Sequence, residues 1–229
     1  MEKLKLAVYE ANMELYRQGL VVYTWGNVSQ IDRDRGLMAI KPSGVPYEQL
    51  RPEMIVVMTL EDGRVVDGSL RPSSDAPTHL ELYRAFDNIG GVTHTHSACA
   101  TAWAQAGMAI PCYGTTHADT FHGEIPITRF LTPAETEAAY EANTGTVIIE
   151  AFAGRDPMHA PGVLTRGHGP FTWGKNGMQS VEHAVILEEV AKMAMWTRSL
   201  NPTIDALPEH VSEKHFLRKH GPNAYYGQK

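Results

Sequence analysis

The sequence contains little cysteine, no excess of positive charge and no long apolar segment. Its two cysteines, Cys99 and Cys112, have no C-x-x-C spacing, and we interpret them as free thiols in a reducing compartment. The formal net charge of −6 and the pI of about 6.0 argue against nucleic acid and anionic membranes as partners. No apolar run approaches the roughly 18 residues of a membrane span, and residues 1–10 lack a signal-peptide core. These absences favour a cytoplasmic protein.

The chain has neither internal repeats nor low-complexity linkers. Its 229 residues, 43% of them hydrophobic, suit one domain covering 1–229, although two small domains are compatible with this length. Hairpins mixed with helices favour a layered α/β fold with substantial antiparallel pairing. The order of elements lacks the strict strand–helix alternation of a doubly wound sheet.

Hydrophobic periodicity and turn residues divide the chain into secondary-structure elements. We predict strands over the segments 20–31, 37–40, 54–60, 64–66, 91–96, 125–130, 162–166 and 171–173. We predict helices over 3–17, 75–86, 97–106, 144–152, 176–200 and 208–220, with another beginning at the capping-box pattern of residues 132–135.

Three histidines and one aspartate form a candidate metal site. His94 and His96 lie two positions apart on a predicted strand, so their side chains point to the same face. His168 lies between two glycines, which allow a sharp backbone turn. Asp75 begins a predicted helix and is either a fourth ligand or an N-cap. Three nitrogen ligands and one oxygen ligand suit zinc, and manganese or cobalt could substitute. The alternative is that the histidines are hydrogen-bonded and bind no metal.

Three separate segments provide groups that bind anions. Asn27 offers an amide beside a glycine, and the loop 41–44 offers a cation, a hydroxyl and free backbone N–H groups through Lys41, Ser43 and Gly44. Ser73 and Ser74 precede a predicted helix, whose N-terminal dipole favours an anion. None of these segments resembles a Walker loop, and each alone is compatible with an ordinary turn or cap.

Several polar residues are candidates for proton transfer. Asp119 lies in a polar run with Thr115, and this run is either functional or an ordinary turn. Glu141 is either functional or part of a solvated helix face. Tyrosines 225 and 226 are unusual aromatics near the end of the chain, where either could dock on a neighbouring subunit. His215 and Arg218, on the preceding predicted helix, are placed to assist.

These motifs occur in an order that resembles the L-ribulose-5-phosphate 4-epimerases of the class II aldolase/epimerase family. The resemblance extends almost from end to end of the chain. It is carried by the segments Thr24-Trp25-Gly26-Asn27-Val28-Ser29, Ile40-Lys41-Pro42-Ser43-Gly44-Val45, Pro72-Ser73-Ser74-Asp75-Ala76-Pro77-Thr78-His79, Thr93-His94-Thr95-His96-Ser97, Gly114-Thr115-Thr116-His117-Ala118-Asp119, His168-Gly169-Pro170-Phe171, Lys214-His215-Phe216-Leu217-Arg218-Lys219-His220-Gly221 and Tyr225-Tyr226-Gly227-Gln228.

The resemblance implies a fold, an assembly and a reaction. The fold is a single three-layer α/β/α domain with a mostly antiparallel central sheet, and the assembly is a homotetramer with active sites between subunits. The reaction interconverts L-ribulose 5-phosphate and D-xylulose 5-phosphate by retro-aldol cleavage and re-addition at C3–C4, as in the catabolism of L-arabinose or related pentoses.

The resemblance also implies roles for individual residues. Zinc is expected on His94, His96 and His168, with Asp75 on or beside it. Asp119 is expected on one face of the substrate and Tyr226 of an adjacent subunit on the other. The residues expected to bind the substrate phosphate are Asn27, Lys41, Ser43, Gly44, Ser73 and Ser74.

Three other functions compete with an epimerase. A class II aldolase that cleaves fuculose or rhamnulose 1-phosphate is the nearest, but in the fuculose aldolase the residue matching Asp75 is a glutamate acting as base. A zinc hydrolase would use a metal-bound water and would not need the C-terminal tyrosines. A non-catalytic protein on this fold, such as the adducin head domain, could lose ligand residues that are present here.

Overall fold

A computed structural model describes residues 1–226 of the chain. It contains seven helices and seven strands in these residues, besides two single-turn 3₁₀ helices. In chain order they are α1 (Glu2–Arg17), β1 (Asn27–Asp32), β2 (Leu37–Ile40), β3 (Val56–Thr59), β4 (Val65–Asp67), α2 (Ala76–Ala85), β5 (Gly91–His94), α3 (Ala98–Ala106), α4 (Thr115–Ala118), α5 (Pro133–Ala151), β6 (Gly162–Thr165), β7 (Gly169–Gly174), α6 (Gly177–Leu200) and α7 (Glu209–His220).

The strands form one antiparallel sheet in the order β4-β3-β2-β1-β5-β7-β6. Both faces of its central strands are buried, because neighbouring positions contribute to opposite cores. Met38 and Ile40 pack with Leu80 of α2, whereas Ala39 between them packs with Val8 of α1. The sheet is therefore the middle layer, and the predicted three-layer α/β/α architecture is confirmed.

The helices are divided between the two faces of the sheet. Helices α2 and α5 pack on each other and cover one face, where a core of aromatic and branched side chains includes Tyr83, Phe152 and Trp173. Helices α1, α3 and α6 cover the other face in three smaller clusters. None of the helices described in residues 1–226 combines the length and apolar character needed to span a membrane.

Three sequence predictions of secondary structure need correction. The strand predicted from residue 20 begins only at Asn27, because residues 20–26 form a turn in which Tyr23 and Gly26 have positive φ angles. The segment 125–130 makes isolated bridges through Ile125 and Ile127 but is not a strand. The two helices predicted from residues 132 and 144 are both present within α5, the first with a capping box at Thr132, but they are separated at Ala139, so the second begins earlier than predicted.

The strand register brings the distant motifs together. Asn27, at the start of β1, pairs with His94, at the end of β5. His94 in turn pairs with Phe171 of β7, and His168 lies in the hairpin turn just before that strand. Three motifs from different parts of the chain therefore meet at one edge of the sheet.

Candidate active site

Three imidazoles converge where β5 ends and the β6–β7 turn begins. The ring centroids of His94, His96 and His168 lie 4.7–4.9 Å from one another, and one ring nitrogen from each lies within 4.8 Å of the others. The Nε2 atoms of His94 and His96 are 3.1 Å apart. The structure therefore brings the three predicted histidines together, and their role as metal ligands stays a prediction.

The chemistry of this group fits a divalent metal ion. Nδ1 of His94 lies 2.9 Å from the carbonyl oxygen of Pro170, to which it donates, so Nε2 of a neutral ring keeps its lone pair. Burial lowers the pKa of His94 to about 3, which keeps the ring neutral at physiological pH. Nδ1 of His168 is buried without a hydrogen-bond partner among the described residues. Facing lone pairs would be unfavourable alone, whereas a shared cation satisfies them.

Glycines position His168 as the sequence predicts. Gly167 has a φ of +75°, a conformation that side chains with a Cβ rarely adopt. A Cβ on Gly169 would lie 2.6 Å from the carbonyl oxygen of Thr95, the residue between the other two histidines. Gly169 therefore allows the turn to approach the end of β5 this closely, and Gly167 allows its sharp backbone conformation.

Asp75 occupies the N-cap position of α2 but does not cap the helix within the described residues. Its carboxylate instead accepts a 2.6 Å hydrogen bond from Nδ2 of Asn27. Burial raises the pKa of Asp75, but the electrostatic interaction with the imidazoles of His94 and His79 and the bond from Asn27 more than offset this, and the pKa is lowered. Among the described residues, the compact group of metal-ligating atoms consists of the three histidines without Asp75.

The predicted anion-binding residues surround the same space. The side chain of Lys41 is 1% exposed, and its Nζ makes one long hydrogen bond of 3.5 Å to the carbonyl oxygen of Thr24. Burial lowers its pKa to about 8. Nδ2 of Asn27 also donates to Oγ of Ser73 at 3.1 Å, so this one amide links the phosphate and metal segments.

These groups line a single pocket of about 510 Å³. The structure brings together there all six predicted phosphate-binding residues, Asp75, two of the three histidines and Glu141. His94 does not line the pocket. It is buried and stacked on Phe171, with the two ring centroids 4.1 Å apart. A pocket that combines imidazoles with a buried lysine can hold a metal and an anionic group of one small molecule.

Four of the remaining predicted residues form a second group together with Lys219, which sequence reasoning did not single out. We call this group the Asp119 cluster: Asp119, His215, Arg218, Lys219 and Tyr226. Arg218 donates to both carboxylate oxygens of Asp119 at 2.9 Å, and Nδ1 of His215 lies 3.0 Å from Oδ1. Burial raises the pKa of Asp119, but these hydrogen bonds and nearby cations lower it overall. Asp119 is therefore held ionised by helix α7.

Tyr226 belongs to the same cluster. Its backbone N–H donates to the carbonyl oxygen of Arg218 at 3.2 Å, and the guanidinium of Arg218 lies 4.9 Å from the ring centroid. Gly227 and Gln228 of the predicted terminal motif lie outside the described residues. Thr115 begins α4, and its carbonyl oxygen accepts the N–H of Asp119 at 2.9 Å. Among the described residues that line the 510 Å³ pocket, none belongs to the Asp119 cluster.

Sequence reasoning overlooked two groups around the pocket. Tyr140 lines it because α5 is broken at Ala139, whereas the sequence places the start of the second helix at residue 144. The fully buried His79 is the second: its Nδ1 lies 2.7 Å from Oγ of Ser29, which is 2.8 Å from the hydroxyl of Tyr83. His79 lies one helical turn after Asp75, and that spacing is the signal that could have identified it.

Known proteins share this fold and most of its length. Residues 6–195 match the family described as Class II Aldolase and Adducin N-terminal domain. An L-fuculose 1-phosphate aldolase is 26% identical over 93% of this chain and 94% of its own, with a TM-score of 0.75. The L-fuculose 1-phosphate aldolase from Glaciozyma antarctica is 16% identical (97% and 84% covered, TM-score 0.77). That from Thermus thermophilus is 24% identical (90% and 100% covered, TM-score 0.69). The chain therefore belongs to the class II aldolase and adducin N-terminal domain family.

Proposed function

We propose that the protein is a zinc-dependent epimerase that interconverts L-ribulose 5-phosphate and D-xylulose 5-phosphate. One observation carries the proposal: two imidazoles of the histidine triad and the buried Lys41 line one pocket. A metal site alone would suit many reactions, and an anion site alone would suit many ligands. Together they suit a phosphorylated, oxygen-rich substrate that is activated at a metal. A role in the breakdown of L-arabinose or a related pentose follows from this substrate.

The inverted carbon explains why such an enzyme would need a metal. The hydrogen on C4 of ribulose 5-phosphate is not acidic, so inversion by simple deprotonation is unfavourable. Removing the proton of the C4 hydroxyl instead allows the C3–C4 bond to break, and re-addition to the other face of the aldehyde inverts C4. A divalent ion held by His94, His96 and His168 would supply Lewis-acid stabilisation of the negative charge that develops.

The anion half of the pocket has a separate task. While the C3–C4 bond is broken, the aldehyde fragment must remain bound and rotate. Lys41, Ser43 and Ser73 would hold its phosphate by charge and hydrogen bonds, assisted by Asn27, Gly44 and Ser74. Retention of this fragment distinguishes an epimerase from an enzyme that releases two products.

The proton transfers are assigned to Asp119 and Tyr226, and one neighbouring subunit contributes both residues. The two residues are adjacent in one chain, through their shared contacts with Arg218, and neither lines the pocket of that chain. Both would enter a neighbour's pocket together in a homotetramer. Trp196 and Leu200, which are 58% and 88% exposed at the end of α6, are consistent with contact between subunits.

The assisting residues have distinct roles in this proposal. Arg218 and His215 orient the Asp119 carboxylate, and Thr115 fixes its backbone. Glu141 lines the pocket and is placed to accept hydrogen bonds from sugar hydroxyls.

A class II sugar-phosphate aldolase is the second candidate. It is favoured by the similarity to an L-fuculose 1-phosphate aldolase at 26% identity over most of both chains. Against it stands the short carboxylate of Asp75, which is held by Asn27 at 2.6 Å and is poorly placed to act as a mobile base. The two reactions share C–C cleavage and differ in whether the bond is remade.

Carbon NMR of zinc-loaded protein with L-ribulose 5-phosphate, with and without a chelator, separates the candidates. We expect chelator-sensitive formation of D-xylulose 5-phosphate without free fragments. Accumulation of glycolaldehyde phosphate and dihydroxyacetone would indicate that the bond is cleaved and not remade. Failure with this substrate, followed by cleavage of a ketose 1-phosphate, would establish the aldolase instead.

A further inference from the structure

Helix α5 is interrupted at the point where it passes the pocket. Ala139 has a φ of −163° and a ψ of 77°, far from helical values, although helix continues on both sides. The residue after the break, Tyr140, and its neighbour Glu141 both line the 510 Å³ pocket. In an unbroken helix, residue 140 would lie next to the preceding turn, whose residues 136–139 are solvent-exposed.

Side chains on both sides hold the break in place. Nδ2 of Asn143 donates across it to the carbonyl oxygen of Glu135 at 2.7 Å. Oγ1 of Thr78, on α2, donates to the carbonyl oxygen of Glu141 at 2.6 Å. The bond from Asn143 gives a partner to a carbonyl oxygen before the break, and the bond from Thr78 ties the segment after it to α2, so the distortion is a stable feature of the fold.

The break presents the Tyr140 ring at the metal end of the pocket. Its centroid lies 6.3 Å from that of His168, and the side chain is 40% exposed in the single chain. Trp25 is placed similarly, 5.9 Å from His96. Two aromatic rings thus stand beside different imidazoles of the triad.

The phenol of Tyr140 is a hydrogen-bond donor at neutral pH. A tyrosine hydroxyl ordinarily has a pKa of about 10 and is protonated in this range. Tyr140 lines the pocket, so its side chain is available to a ligand there. A protonated phenol beside a metal site suits recognition of a hydroxyl group better than proton abstraction.

We propose that Tyr140 is a specificity-determining residue, whose hydroxyl donates a hydrogen bond to the C1 hydroxyl of a ketopentose 5-phosphate. This rests on the proposed function for the orientation of the substrate. With the 5-phosphate held at Lys41 and Ser43, the phosphate-free end extends toward the imidazoles, where Tyr140 lies. A site built to bond a hydroxyl discriminates against the analogue that lacks it.

Calorimetric binding of D-xylulose 5-phosphate and its 1-deoxy analogue tests this contact. The proteins are zinc-loaded wild type, Tyr140→Phe and Tyr9→Phe, the last removing a hydroxyl from α1 as a matched control. We expect the wild type and the control to bind the 1-deoxy analogue about tenfold more weakly, the effect of one lost hydrogen bond of about 1.4 kcal/mol. Tyr140→Phe should bind both ligands with similar, weakened affinity, at unchanged zinc content.

Retention of the wild-type preference by Tyr140→Phe would overturn the proposal, and so would equal affinity of the wild type for the two ligands. Binding needs no turnover, so the test is separate from that of the reaction. Selective binding by a protein that does not epimerise would support the Tyr140 contact and refute the epimerase. A wild type that binds neither ketose would overturn both.

Discussion

The buried charge of Lys41 destabilises the pocket and favours binding of an anion. The side chain is almost completely buried, and within residues 1–226 its ammonium has as compensation the long hydrogen bond to Thr24 and the ring of Tyr47, whose centroid is 4.7 Å away. A buried cation with so few partners destabilises its own charged form, which is why its pKa falls to about 8. An arriving phosphate supplies the missing negative charge.

The affinity for sugar phosphates is expected to fall as pH rises through about 8, because Lys41 then loses its proton before the ligand binds. The phosphate is already dianionic at these pH values and contributes no change. Calorimetric titration from pH 6.5 to 9.5 measures this, with Lys41→Met as the control. The variant should bind more weakly at pH 7 and show no such fall. An equal fall in both proteins would exclude Lys41 as its cause.

His94→Ala is expected to lower zinc affinity by about 100-fold or more, because two imidazoles and a neighbouring acid hold the ion much less tightly than three. Metal content after dialysis against a weak chelator measures this. His159→Ala, at an exposed histidine outside the triad, is the matched control. Circular dichroism establishes that both variants are folded. Stoichiometric zinc in folded His94→Ala would refute the ligand assignment.

Strand β5 is the element that fixes the site, and its start is packed against the start of α6. A Cβ added to Gly91 would lie 2.2 Å from the carbonyl carbon of Asn176 and 2.3 Å from the nitrogen of Gly177. These are backbone atoms that cannot move aside as a flexible side chain could. The strand that carries His94 is therefore tied to the helix behind it.

Gly91→Ala is expected to destabilise the protein by about 3 kcal/mol, since the added methyl group must displace the α6 backbone. Urea unfolding followed by circular dichroism measures the change. Gly114→Ala is the control, because a Cβ there meets no atom within 4 Å. Equal midpoints for Gly91→Ala and the wild type would show that β5 and α6 separate more easily than the packing indicates.

The sequence predicts elements well where local pattern and packing agree. The alternation in Met38-Ala39-Ile40 and the capping box at Thr132 both correspond to the observed strand and helix. It fails where tertiary contacts override local preference. Two helices are predicted in this region, but their boundary at Ala139 is not, because the segment after the break is held by a hydrogen bond from Thr78 of the distant helix α2.

Site prediction follows the same division. The three histidines could be grouped from the two-residue spacing of His94 and His96 and from the glycines beside His168. The strand predicted to His96 ends at His94, however, so His96 lies beyond β5 and its direction is not set by strand alternation. The separation of Asp119 from the pocket could not be foreseen, because it depends on how α7 packs against α4, with Arg218 and His215 closing on the carboxylate. A motif order along the chain does not give the distance between two clusters.

At the scale of the whole molecule, the separation of the histidine triad from the Asp119 cluster allows the proposed assembly to be tested. If each active site takes its metal from one subunit and both Asp119 and Tyr226 from a neighbour, inactive His94→Ala and Asp119→Asn chains should complement each other. About a quarter of the sites in randomly mixed oligomers would then be intact. Activity after co-refolding measures the recovery, and native mass spectrometry verifies mixing.

The control mixture combines Asp119→Asn with Tyr226→Phe. It should regain nothing, since every site would receive its two proton-transferring residues from one defective chain. Recovery in the control would show that these residues reach a site from different subunits. No recovery in either verified mixture would contradict a shared site.

Asp75 leaves α2 without the side-chain cap that an acid at this position ordinarily provides, worth about 1 kcal/mol. Its carboxylate is turned to Asn27, whose own Oδ1 is buried without a partner among the described residues. With Lys41, these residues concentrate local instability in one place. A library screened only for survival of heating would therefore accumulate its first gains in the pocket and lose activity as it did so. Variants intended for use at high temperature are better sought with these three positions held constant.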